Sequence, residues 1–203
     1  MEDLLSNFSG ESTEFGIRIK SKDHVYRTDA DGNSVEVSGI TNYKSDESII
    51  EININSTEAN INKALFVLKT ILHEYIYAEI IRKIYTENDN LDLDDFTEVY
   101  NSYSNNGFQP SPAHQTMADL YVESMKEVIK DFHMQMMTPD YNHLLSGMGG
   151  QVNLDNFYEA LAWKGLEQHE VQAWIDLSQD KKDELDQAYQ QYIYSTTNSC
   201  ITD

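Results

Sequence analysis

The period of the apolar residues changes once along this chain, and that change limits the fold more than any other feature. Up to Ile54 apolar side chains recur at alternate positions, as in Phe15-Gly16-Ile17-Arg18-Ile19-Lys20 and Ile50-Glu51-Ile52-Asn53-Ile54. Alternation sends successive side chains to opposite faces of a strand. From Ile61 onward they fall at Ile61, Leu65, Leu68, Leu72, Ile76, Ile80 and Ile84, the three- and four-residue spacing of a helix. Strands first and helices afterwards predict the α+β class.

Two further runs, His24-Val25-Tyr26-Arg27-Thr28 and Ser34-Val35-Glu36-Val37, flank Asp29-Ala30-Asp31-Gly32-Asn33, whose residues suit a hairpin connection. The expectation is a small antiparallel sheet of three or four strands with one apolar face. Asn55-Ser56-Thr57-Glu58 supplies a cap and an acidic first turn for a long helix over 57–85. Apolar residues occupy more than one side of it, so it is expected to be well buried. The stretch from Glu87 to Gly107, with Asp89, Asp92, Asp94 and Asp95, reads as a surface connection, or one holding a short helix around 94–103. It lacks the glycine and the terminal glutamate of a calcium-binding loop.

Ser111 as N-cap and Pro112 at the first helical position open a second long helix over 112–136. Its inward stripe is His114, Met117, Ala118, Tyr121, Met125, Val128, Ile129, Phe132 and Met136. Thr138-Pro139-Asp140 is expected to stop it. Gly147-Met148-Gly149-Gly150 reads as a loop without the spacing or the preceding strand of a phosphate-binding turn. Asn153 caps a third helix ending near Gly165, and Ser178 opens a last one with Leu185, Ala188, Tyr189 and Tyr192 on one side. The predicted whole is a small antiparallel sheet followed by two long helices and two or three shorter ones. It forms a single domain over 14–194, between a disordered leader at 1–13 and a disordered tail at 195–203.

Charge and cysteine narrow the function. The 203 residues carry 14 Lys+Arg against 35 Asp+Glu, a formal net charge of −21. Nucleic acid and anionic membrane surfaces are excluded as partners, because both call for clustered cations. Cationic partners and metal ions remain. A hydrophobic fraction of 40% is too high for a disordered acidic tail. Cys200, the sole cysteine, excludes a disulfide framework and a cysteine zinc site. Met1-Glu2-Asp3-Leu4-Leu5-Ser6 has no apolar core of a signal peptide, and no run reaches the ~20 apolar residues of a membrane span. The cytoplasm is the default compartment.

The segment with chemical content is Thr70-Ile71-Leu72-His73-Glu74-Tyr75-Ile76-Tyr77-Ala78-Glu79, inside the first long helix. A His-Glu pair there loses hydration, a cost that metal binding, pairing or a cleft can offset. In zinc hydrolases with His-Glu-x-x-His, the two histidines share one helical face and take adjacent tetrahedral corners, with the glutamate acting on the zinc-bound water. Here the second of those positions is Tyr77.

Ile71-Leu72-His73-Glu74-Tyr75-Ile76-Tyr77-Ala78 resembles the "hLHExIHA" helix of SprT-like and related bacterial zincin metallopeptidases. Ser111-Pro112-Ala113-His114-Gln115-Thr116-Met117-Ala118 resembles the downstream helix that brings a third zinc histidine in some of those families. Phe157-Tyr158-Glu159-Ala160-Leu161-Ala162-Trp163-Lys164-Gly165-Leu166 resembles their "LAWGGL" segment. The resemblance spans about residues 15–175 and implies a zincin-like fold and a zinc-dependent peptide hydrolase. It makes His73 and His114 zinc ligands, Tyr77 the occupant of the remaining ligand's corner, Glu74 the general base, Zn2+ the cofactor and a peptide or protein the partner. An edge strand would hold the peptide by backbone pairing.

Tyr77 departs from the pattern, because a phenol with a pKa near 10 must lose its proton before it ligates. The metal site is therefore expected to be impaired. Two other readings stand beside the hydrolase: an inactive pseudo-peptidase kept as a protein-binding module, or the C-terminal effector or toxin portion of a larger bacterial protein. The plain readings are a partly exposed helix pair without a role for His73 and Glu74, and a packed first-turn histidine for His114. Trp163 and Trp174 read as core anchors, and His24, His133, His143 and His169 as surface or loop residues.

Overall fold

The computed structural model describes residues 16–29, 31–44, 49–61, 63–85, 114–146 and 152–195, with the side chains at 44, 61, 82–85 and 114–120 outside that description. The chain gathers into two compact units, Met1–Phe108 and Gln109–Asp203, where the sequence reading expected one domain over 14–194. The leader at 1–13, the connection from Glu87 to Gly107, the Gly147–Gly150 loop and all but the first residue of the tail lie outside the described residues.

The first unit is mixed α+β. Strands β1 (Gly16–Lys22), β4 (Gly39–Lys44) and β5 (Ile49–Asn55) form a sheet in the order β1-β5-β4, and β2 (Tyr26–Thr28) pairs with β3 (Ser34–Glu36) in a separate hairpin. The hairpin turns where expected: Gly32 adopts φ 82°, a region open to glycine, and its N–H donates to the Asp29 carbonyl at 3.0 Å. The expected all-antiparallel sheet is corrected, because β1 runs parallel to β5 and only β4 runs antiparallel to it. Alternation reports which face a side chain takes, and it is the same for either strand direction. The strand at Gly39–Lys44 was not anticipated at all.

Strand β5 is central and buried on both faces. Ile50, Ile52 and Ile54 point one way, Glu51, Asn53 and Asn55 the other, and all six are buried. Asn55 joins three elements. Its Nδ2 donates to Glu36 Oε1 at 2.9 Å and to the Val37 carbonyl at 3.2 Å, while its Oδ1 accepts from the Glu58 N–H at 3.1 Å. It thereby caps α1 (Ser56–Ile61), as the sequence suggested. The predicted single helix over 57–85 is two: α1 ends, and α2 (Ala64–Tyr85) restarts with Phe66 and Val67 donating to the Lys63 carbonyl. A break this short leaves the spacing of the apolar residues almost undisturbed.

Helix α2 lies on β4 and β5. From Leu72 to Ile81 every side chain except those of Ile76 is buried, matching the expectation of a helix apolar on more than one side. Gly39 permits the close approach. A methyl there would stand 2.9 Å from Thr70 Cγ2 and 3.1 Å from Glu74 Cγ, both on α2.

The second unit is helical: α3 (His114–Met136), α4 (Thr138–Leu145), α5 (Leu154–Gln168), α6 (Gln172–Ile175) and α7 (Gln179–Ser195). Helix α3 stops at Met136, before Thr138-Pro139-Asp140, as expected, and the proline lies in the first turn of α4, where its missing N–H costs nothing. Asn153 caps α5 by accepting from the Asn156 N–H at 3.2 Å, as expected. Helix α5 continues past Gly165, which is buried inside it; packing against α3 and α7 offsets the ~1 kcal/mol of a mid-helix glycine. Its end is a left-handed Glu170 (φ 46°), with Val171 donating to the Leu166 carbonyl. Trp163 packs on Trp174 with ring centroids 5.7 Å apart, in keeping with their reading as anchors.

Gly39→Ala should destabilise the first unit by about 1–3 kcal/mol, because neither the Thr70 methyl nor the β4 backbone can yield without moving an element. Chemical denaturation measures this; an unchanged midpoint would show that the strand and helix are not in such close contact.

Candidate functional site

Helix α2 carries His73, Glu74, Tyr77 and Glu79, each only 5–7% exposed. His73 and Tyr77 are four residues apart and share one helical face, while Glu74 is turned by about 100° from His73. That turn directs Glu74 at β4. Thr41 Oγ1 donates to Glu74 Oε2 at 2.7 Å and also lies 3.1 Å from the Glu74 carbonyl oxygen. Thr41 is itself buried, on the β4 face that also carries Gly39 and Tyr43. One threonine thus ties the strand to both the side chain and the backbone of the helix.

Burial pushes the Glu74 carboxyl from an ordinary 4.5 up to about 7, and the Thr41 hydrogen bond and the charges of Lys69 and Arg27 only partly oppose the rise. A carboxyl in this range exchanges its proton near neutral pH, as a general acid or base does. The bland reading of His73-Glu74 as a partly exposed pair does not hold, because both are buried.

The metal-ligand set expected from the resemblance is only partly within view. His73 and Tyr77 are on one face of α2, and Glu74 is engaged by Thr41. His114 is the first residue of α3, and its side chain lies outside the described residues. Among the described residues no three His, Cys, Asp or Glu side chains are grouped to hold a metal ion.

One polar centre was missed. His133, read as a surface or loop residue, is 0% exposed. Its Nε2 lies 3.0 Å from Asp140 Oδ2 and its Nδ1 2.9 Å from the Tyr158 hydroxyl. The Tyr192 hydroxyl donates to the same Asp140 oxygen at 3.2 Å. A proton on Nε2 satisfies the ring, with Nε2–H donating to the carboxylate and the Tyr158 hydroxyl donating to Nδ1. Burial drives both phenols far up, so they remain donors. The Asp-His-hydroxyl order is that of an activated nucleophile. Tyr158, however, is 1% exposed, so no substrate reaches it, and the cluster instead joins α3, α4, α5 and α7. The signal was present in the spacing Met125, Ile129, His133, a continuation of the inward stripe. The expected stripe ended on Met136, which is 71% exposed.

Comparison with protein-family models, curated proteins and solved structures finds no match to this chain. Among the described residues no helix is long and apolar enough to cross a membrane.

Two outcomes are expected. The unfolded chain releases the Glu74 proton near pH 4.5 and the folded chain near 7. Stability should therefore fall as pH rises through that window, by an amount on the order of 3 kcal/mol. Glu74→Gln should abolish this decline, so its advantage over the wild type grows between pH 4.5 and 7.5 in urea denaturation; a constant difference would place the carboxyl in water. In the second unit His133→Leu keeps the volume but strips the Tyr158 hydroxyl of its partner, and should cost about 2–3 kcal/mol by tryptophan fluorescence. A loss under ~0.5 kcal/mol, the ordinary scatter of surface substitutions, would mean that the ring is accessible to water.

Proposed function

We propose that the chain is a metallopeptidase-like protein of the SprT-like, zincin type with an impaired metal site, acting as a peptide-binding module with little or no hydrolysis. The observation that carries this reading is the Thr41–Glu74 hydrogen bond. It fixes a carboxyl that titrates near neutral pH directly against β4, a strand at an edge of its sheet. An edge strand offers unpaired N–H and C=O groups to an extended peptide, and β4 would carry such a peptide past the polar part of α2.

The described donors do not fit catalytic zinc. Such sites use three protein ligands drawn from histidine, cysteine and carboxylate and keep a position for water. Here α2 contributes one imidazole, His73, and a phenol, Tyr77, which binds a metal only after losing a high-pKa proton. What the chain's own residues supply is a proton acceptor at Glu74, held in one orientation by Thr41, and a strand edge beside it.

The test compares the wild type with Tyr77→His. The substitution places a neutral imidazole four residues from His73, so zinc affinity should rise at least tenfold in competition with a chromogenic chelator. Equal affinities would remove this corner from any site. The wild type should show little zinc-dependent peptidase activity at neutral pH. Robust hydrolysis that disappears in Glu74→Gln would overturn the binding-module reading in favour of a working hydrolase.

A further inference from the structure

We draw no further inference here: the strongest candidate, the cleft between the end of α4, the start of α5 and the Glu184–Gln191 face of α7, has walls at Ser146 and Val152 that are joined through residues outside the described ones, and nothing in the structure shows what covers it.

Discussion

The burial of Glu74 against Thr41 is the constraint on which the first unit depends. A carboxyl removed from water is costly, and here the cost appears as a proton affinity raised to about 7. The unit tolerates it because the strand that buries the group also supplies its hydrogen bond. That strand reaches the helix because residue 39 has no side chain. A glycine, a threonine and a glutamate thus act as one device. The glycine sets the distance, the threonine sets the orientation, and the glutamate acquires a titration range that an exposed carboxyl would not have. The proposed peptide site inherits all three properties.

The second unit solves a related problem in a different way. His133 is fully buried, yet both ring nitrogens have partners, and those partners come from α4 and α5. Asp140 then passes the connection to Tyr192 on α7. A polar cluster with every member engaged holds helices in one arrangement, whereas apolar contacts alone are less selective. Around it lie stacked and edge-on rings, including Phe157 on Tyr192 at 3.8 Å between centroids. Part of the chain's high tyrosine content is spent here, where a phenol fills apolar space and ends in a donor.

Glu51 completes the comparison. It also sits in the first unit as a buried carboxylate, but its partners are cations instead of a hydroxyl. The two acids therefore sit in different surroundings: Glu74 on α2 meets a hydroxyl from β4, while Glu51 on the central strand β5 meets the cations of β1.

What the sequence determined by itself were the properties carried by local pattern. The change of period at Ile54 separated strands from helices, Gly32 marked the hairpin, and Asn55 and Asn153 marked helix starts, because each depends on neighbours within a few residues. His73, Glu74 and Tyr77 stood out for the same reason, as polar groups in an apolar helix. Strand direction, the break between α1 and α2, and the grouping into two units were not legible, since alternation encodes a face but neither a partner nor a direction. His133 was misread because its partners lie 7 and 25 residues away in sequence, and a histidine's role is set by what surrounds it. The titration range of Glu74 was likewise decided only by tertiary structure. Its environment is made by Thr41, 33 residues earlier, on a strand that alternation alone had not revealed.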